Sequence, residues 1–121
     1  MHTVAELPAF RRQAEAAGMA EEEIEDLISY LAENPTTGAV IPGTGGCRKV
    51  RVAGRGKGKS GGYRTITFYS GADIPVFLLA VFSKGERTTM PPKERSALAG
   101  IAKAIVDEYL GRVARVRREK P

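Results

Sequence analysis

The residues best suited to chemistry in this 121-residue chain lie in one short stretch, GRGKGKSGGYR, from Gly54 to Arg64. Its eleven residues include five glycines and four basic side chains, and no acidic residue. Glycine lets the backbone approach a ligand closely, and lysine and arginine bind phosphate oxygens. Three interpretations follow: a loop that binds the phosphates of a nucleotide, a flexible charged hairpin, or part of a surface that binds RNA.

A nucleotide-binding P-loop has the pattern GxxxxGK[ST] between a strand and a helix, so that backbone amides and the helix dipole meet the phosphates. Gly58, Lys59 and Ser60 match the end of this pattern, but the position of its first glycine is occupied by Ala53. The following residues, GYRTITFY, are rich in β-branched and aromatic types, which favours a strand over a helix. The sequence therefore argues against a P-loop.

Basic residues continue on both sides of the loop. Arg48, Lys49 and Arg51 precede the loop, and Arg64 follows it. A solvated hairpin does not need cations along its flanking strands, whereas a site for a polyanion does. The pattern favours contact with RNA over a merely solvated hairpin.

The usual catalytic groups are missing around these cations. The one histidine, His2, lies near the chain start, where we expect fraying and no role in chemistry. The one cysteine, Cys47, has no histidine nearby in sequence, which favours a buried structural thiol. No carboxylate pair and no cluster with metal-ligand spacing is visible, so we predict no metal and no cofactor.

A cluster of cations is nevertheless sufficient for RNA cleavage, because the nucleophile is the substrate's own 2′-OH, which already lies beside the scissile phosphate. Arginine holds phosphate oxygens in a fork and stabilises the extra negative charge of the transition state. A lysine that is surrounded by other cations has a lowered pKa and can act as a base near neutral pH.

Charge is distributed unevenly along the chain. Residues 1–46 carry two basic and eight acidic side chains, residues 47–64 carry seven basic and no acidic ones, and residues 65–121 carry ten basic and six acidic ones. The net charge of +5 therefore conceals a dense basic block and a basic end, RVARVRREK. Such blocks are typical of proteins that bind polyanions.

Length and composition predict a single domain over residues 1–121. No stretch reaches the ~18 apolar residues of a membrane span, and the start, MHTVAELPAFRR, lacks the pattern of a signal peptide. One cysteine cannot form an internal disulfide. We therefore expect a cytoplasmic protein.

Hydrophobic periodicity predicts two helices, three strands and a final helix. The strands are joined by short connections, so the sheet should be antiparallel and the fold an α+β sandwich. Thr36–Gly46 is expected to be a loop. The predicted elements are the helices Pro8–Ala17, Glu21–Glu33 and Pro92 to about Arg118, and the strands Arg48–Val52, Gly62–Tyr69 and Pro75–Phe82. The face of the last helix that should pack on the sheet consists of Leu98, Ile101, Ile105, Val106, Tyr109 and Val113.

The segment NPTTGAVIPGTGGCRKVRVAGRGKGKSGGYRTITFY, together with VFSKGER, resembles the HigB-like branch of the RelE toxins of bacterial toxin–antitoxin systems. The resemblance extends over nearly the whole chain. It implies a RelE-like α+β fold, a small and mainly antiparallel sheet with two N-terminal helices and one C-terminal helix. It also implies a metal-independent endoribonuclease that enters the ribosomal A site, cleaves mRNA there, and leaves a 2′,3′-cyclic phosphate or its 3′-phosphate product. The implied partners are the ribosome, mRNA and a cognate antitoxin, in this branch often of helix-turn-helix type.

The resemblance also implies which residues form the site. Arg64 looks like the arginine that holds the scissile phosphate. Lys84 looks like the basic residue that protonates the leaving group or stabilises the transition state, and Arg87 could share that role. The implied catalytic residues are Arg64, Lys84, Lys59 and Lys57. The implied RNA-binding residues are Lys49, Arg51, Arg48, Arg55 and Arg87.

Base recognition departs from the pattern of the family. Several RelE relatives carry a tyrosine shortly after the last basic residue, where it is able to stack on a base, and residues 85–90 of this chain contain none. Tyr63 and Tyr69 are the aromatic residues near the hairpin, and packing is the role expected of both.

The position of Arg64 adds a geometric condition. Strict alternation places its side chain on the same face of the strand as Ile66 and Phe68. We therefore expect a twist or bulge near Gly61 and Gly62 to direct Arg64 into the site.

Two other functions remain open at this point. A non-catalytic module that binds RNA or the ribosome has the same basic composition as such a nuclease. ParE-like members of the wider superfamily inhibit a topoisomerase and cleave no RNA, although the density of basic residues argues against that alternative.

Overall fold

The computed structural model describes residues 2–53, 62–71, 74–83 and 92–119, and for residues 53, 83 and 110–119 it describes the backbone alone. The predicted α+β fold, with two helices before the main strands and one helix after them, is confirmed. The elements in chain order are β1 Val4–Glu6, α1 Pro8–Ala16, α2 Glu21–Glu33, β2 Ala39–Val40, β3 Cys47–Ala53, β4 Gly62–Phe68, β5 Val76–Ser83 and α3 Pro92–Glu119.

The described strands form one sheet in the order β1-β5-β4-β3-β2. The neighbours from β5 to β2 pair antiparallel, as predicted, whereas β1 pairs parallel with β5. The prediction of three strands missed β1, which has three residues, and β2, which has two. Strands this short show no alternation that a sequence pattern could reveal.

Helices cover both faces of the sheet, and a separate hydrophobic core fills each of the two layers. The first core, under α1 and α2, consists of Phe10, Ala14, Met19, Ile24, Leu27, Leu31, Val50, Tyr63, Val76, Leu78 and Val81. The second core, under α3, consists of Ile41, Cys47, Ile66, Phe68, Leu79 and Ala102. Because β3, β4 and β5 contribute to both cores, alternate side chains of these strands are buried in opposite layers.

Strand β5 is apolar on both faces and contains a β-bulge. Ile66 of β4 pairs with Ala80, but Thr67 pairs with Leu78, so that Leu79 is the extra residue. As a result, both Leu79 and Ala80 pack into the α3 layer. The prediction that this strand is covered on both faces is confirmed.

Ile101 does not follow the predicted packing face of α3, and the side chain of Val113 lies outside the described residues. Ile101 is 42% exposed, and Ala102, 3% exposed, packs on the sheet instead. With Leu98, Ile105 and Val106 packed beside it, Ala102 completes a stripe at helical spacing. The predicted face was therefore wrong at position 101.

The chain start is tied to the rest of the fold, contrary to the expectation that it frays. The backbone N–H of His2 donates to the carbonyl oxygen of Ala32 at 2.9 Å. The ring Nε2 of His2 lies 3.0 Å from the hydroxyl of Tyr69, with the two rings edge to face. Tyr69 therefore has the packing role predicted for it.

Cys47 is a buried free thiol, as predicted. Burial raises the pKa of the Cys47 thiol, and a hydrogen bond with Thr44 acts in the opposite direction. Thr44 is itself fully buried, where its hydroxyl donates to the Ile41 carbonyl at 2.6 Å and accepts from the Cys47 N–H at 3.1 Å. These bonds close the loop that leads into β3.

Candidate nucleic-acid interface

The pairing of β3 with β4 brings basic side chains together. The register runs without interruption from the pair Cys47 and Phe68 to the pair Ala53 and Gly62, which places Arg51 directly opposite Arg64. Lys49 precedes Arg51 by two residues and so lies on the same face. Like charges opposite each other destabilise a sheet. This arrangement is therefore typical of a site for a polyanion, whose charge would offset the repulsion.

Arg64 lines the groove from a part of β4 that pairs regularly with β3. Arg64 does lie on the face of Ile66 and Phe68, and the uninterrupted register leaves no bulge between β3 and β4 in the described residues. The pairing with β3 is therefore regular from Gly62 onward, and Gly61 lies outside the described residues. The α3 face of the sheet carries the core at one end and the cations at the other. Arg64 therefore reaches its neighbours from a regular strand.

These cations line a groove of about 420 Å³. This volume lies within the roughly 300 to 1,000 Å³ of sites that hold small ligands, so it is large enough for a nucleotide. Arg51 is exposed, and Lys49 and Arg64 are half-buried. The residues that line the groove are Gly38, Ala39, Lys49, Arg51 and Arg64.

Gly38 and Ala39 form the wall of the groove at the edge of the sheet. Gly38 has φ +95°, a conformation that residues with side chains rarely adopt. A Cβ at this position would lie 2.8 Å from Cγ2 of Val50 and closer still to the carbonyl oxygen of Lys49. Only glycine therefore allows this segment to lie directly against β3.

Three contacts hold the wall segment, residues 36–40, in place. β2 pairs with β3 through Ala39 and Lys49 and through Val40 and Arg48. The Arg48 Nη1 donates to the carbonyl oxygen of Thr36 at 3.1 Å. The hydroxyl of Tyr30, on α2, lies 3.3 Å from Oγ1 of Thr37. The groove thus has one wall fixed by side chains from α2 and β3.

Arg48 is separated from the other cations of β3. It alternates with Lys49, so its side chain lies on the face of Val50, in the layer of α1 and α2. There it bonds to Thr36, and its buried Nε has no hydrogen-bond partner. Among the predicted RNA-binding residues that are described, Arg48 therefore stands apart from Lys49 and Arg51.

A family model for the RelE toxin of the RelE / RelB toxin-antitoxin system matches residues 4–120. The chain belongs to the RelE toxin family. The superfamily suggested by the sequence motifs is thereby confirmed. Membership of this family implies a cognate antitoxin as a partner of the toxin.

Five predicted site residues of this RelE-family toxin lie outside the described residues. They are Arg55, Lys57, Lys59, Lys84 and Arg87. The neighbouring strands end close to the groove, since β5 stops at Ser83, whose partner Tyr63 directly precedes Arg64.

Gly38 and Ala39 are the lining residues of the toxin that sequence reasoning missed. The sequence predicts a loop over Thr36–Gly46, and nothing in the composition of this loop indicates a contact with Lys49. The one signal was a glycine between a helix end and a strand, which often marks close backbone approach.

Two further features are absent from the described part of the toxin. No group of three or more histidine, cysteine, aspartate or glutamate side chains there could hold a metal ion. Within the same residues, no helix combines the length and the apolar character needed to cross a membrane.

Proposed function

We propose that this toxin is a HigB-like endoribonuclease that inhibits translation by cleaving mRNA in the ribosomal A site. The observation that supports the proposal is the convergence of Lys49, Arg51 and Arg64 on one groove that is large enough for a nucleotide. A single-stranded RNA backbone bound there would place a phosphate between cations from two paired strands. Resemblance to the HigB-like branch adds the ribosome as the place of action.

In the proposed reaction the 2′-oxygen of the substrate attacks the adjacent phosphorus. The new bond joins the 2′-oxygen to phosphorus, and the bond from phosphorus to the 5′-oxygen breaks, which leaves a 2′,3′-cyclic phosphate. A basic residue accepts the proton of the 2′-OH, and a second one donates a proton to the departing 5′-oxygen. Orientation of the 2′-OH by the groove supplies a large part of the rate enhancement.

Arg64 is proposed to hold the scissile phosphate. Its guanidinium can donate two hydrogen bonds to phosphate oxygens and stabilise the charge that accumulates in the transition state. Arg51, directly opposite Arg64, would hold the same or the neighbouring phosphate, and Lys49 would contact the backbone on the other side. Lys57, Lys59 and Lys84 are proposed to take part in proton transfer.

The antitoxin is proposed to be a helix-turn-helix protein whose acidic or helical segment covers the edge of the sheet or the hairpin after β3. A groove with three cations favours a partner segment rich in carboxylates, because complementary charge gives both specificity and fast association. Such a segment would occupy the position of the RNA backbone and so block cleavage.

The test is mRNA cleavage in a purified translation system, with and without ribosomes. Wild-type toxin should cut mRNA only when ribosomes are present. Arg64→Ala and Lys84→Ala should each lower the rate by about 100-fold or more, the usual effect of removing one group that stabilises the transition state. Arg12→Ala, which removes an exposed arginine of α1 on the other side of the sheet, is the control, and it should keep most of the activity.

Other outcomes would favour the alternative functions. A toxin that blocks translation but leaves mRNA whole would be a binding module for RNA or the ribosome. Inhibition of a topoisomerase without any effect on translation would indicate ParE-like activity. Full cleavage by Arg64→Ala would show that the proposed site is wrong.

A further inference from the structure

Exposed apolar side chains are few in the described residues, and two of the three large ones lie beside the groove wall. Tyr30 on α2 is 51% exposed and Val40 in β2 is 55% exposed, whereas Ile101 is on α3. Val40 directly follows Ala39, which lines the groove. Tyr30 contacts the residue before Gly38, the other lining residue of the wall, through its bond to Thr37.

Tyr30 is held at one end and open at the other. Its hydroxyl lies 3.3 Å from Oγ1 of Thr37. Its carbonyl oxygen accepts hydrogen bonds from the backbone N–H of Asn34 at 2.9 Å and from the Asn34 side chain at 3.0 Å. The contact with Thr37 thus ties the ring to the wall segment, while about half of the residue remains in contact with solvent. An aromatic ring with fixed orientation and an open surface loses little entropy when a planar group stacks on it.

We propose that Tyr30 is a stacking residue for an unpaired nucleobase of the RNA, the base of a nucleotide next to the one held in the groove. The proposal rests on the proposed RNA-binding function of the groove. Proteins that bind single-stranded nucleic acid combine cations that follow the backbone with aromatic rings that stack on bases. Here Lys49, Arg51 and Arg64 supply the cations, and Tyr30, on α2, supplies the ring across the sheet edge from the groove.

The residues of the wall have little side-chain bulk between the groove and Tyr30. Gly38 has no side chain and Ala39 has only a methyl group, so an RNA strand that leaves the groove over these residues meets no long side chain from them. Val40 pairs with Arg48 and so lies on the face of β2 that is turned to α1 and α2, where it offers further apolar surface on the side of Tyr30. Tyr30 would thereby supply the base contact that residues 85–90 lack a tyrosine to make.

Binding of a short single-stranded RNA with 2′-O-methyl groups tests the proposal, because such an RNA cannot be cleaved by its own 2′-oxygen. Fluorescence anisotropy would give the Kd for wild type, Tyr30→Ala, Tyr30→Phe, and the control Ile101→Ala. Loss of one stacked base should raise the Kd of Tyr30→Ala roughly 5- to 100-fold. Tyr30→Phe keeps the ring and should remain close to wild type, as should Ile101→Ala.

An RNA with one abasic position locates the stacked base. At a single position, removal of the base should weaken wild type as much as Tyr30→Ala does, and should not weaken Tyr30→Ala further. Equal losses for Tyr30→Phe and Tyr30→Ala would overturn stacking and assign the effect to the bond with Thr37. Unchanged binding by Tyr30→Ala, with Arg51→Ala weakened, would reject the role of Tyr30 and leave the groove intact. If Arg51→Ala were unchanged too, the groove itself would not bind RNA.

Discussion

At the scale of single residues, the face of the strand on which a basic side chain lies decides whether it lines the groove. Arg48 and Arg51 are both arginines of β3, three positions apart. Arg51 lines the groove opposite Arg64, whereas Arg48 is turned into the layer of α1 and α2 and bonds to Thr36. We propose that Arg51 binds a phosphate, whereas Arg48 supports the wall of the groove from the opposite face.

Salt dependence of RNA binding distinguishes these two arginines. Each cation that contacts a phosphate releases counterions, so its removal lowers the slope of log K against log salt by about 1. We expect this change for Arg51→Ala and for Lys49→Ala, measured by anisotropy at several salt concentrations. Arg48→Ala should leave the slope unchanged. Equal changes for Arg48→Ala and Arg51→Ala would contradict the assignment by face.

At the scale of elements, the groove depends on a two-residue strand. β2 lies at the edge of the sheet and provides the wall through Gly38 and Ala39. The close approach of Gly38 to Lys49 and Val50 makes this strand sensitive to a single methyl group. Arg48 and Tyr30 then fix the segment from the side of α2.

Gly38→Ala should therefore destabilise the toxin more than a comparable change elsewhere. Gly43 also has a positive φ, +78°, but a Cβ there would meet nothing within 4 Å. Gly43→Ala is thus the control for backbone strain alone, which costs about 1 to 2 kcal/mol. Denaturant unfolding should show a larger loss of free energy for Gly38→Ala, and its RNA affinity should fall as the wall moves. Equal losses for the two variants would show that the close approach of Gly38 to β3 does not contribute to stability.

At the scale of the whole molecule, the acidic helix α2 and the basic groove lie on opposite faces of the sheet. The acidic side chains of the first 46 residues belong mainly to α1 and α2, on one face. The basic groove opens on the other face, beyond the end of the sheet that α3 covers. Such a charge distribution would turn the groove toward a polyanion as the two approach each other.

The antitoxin should respond to the same distribution. If its acidic segment covers the groove, Arg51→Glu should weaken the toxin–antitoxin complex, as measured by calorimetry. Arg12→Glu, an equal charge change at an exposed position of α1, should have little effect. The wild-type complex should also fail to bind RNA. A complex that binds RNA as well as the free toxin does would place the antitoxin away from the groove.

The sequence alone determined the features that depend on local patterns. The bounds of α2 follow from helical spacing and from Asn34-Pro35 after it, and the alternation of β3 separated Val50 and Val52 from Lys49 and Arg51. The basic block and the motifs around it indicated the family that the comparison then confirmed. All of these signals come from residues close to one another in the chain.

Only the tertiary structure decided which of these residues meet. Pairing of β1 with β5 joins residues about 70 positions apart, and β2 exists only because β3 offers it a partner. The position of Arg64 beside Arg51 depends on the register of two strands, and a shift by one residue would turn Arg64 to the other face. Register is set by hydrophobic contacts across the whole fold, so no local pattern contains it.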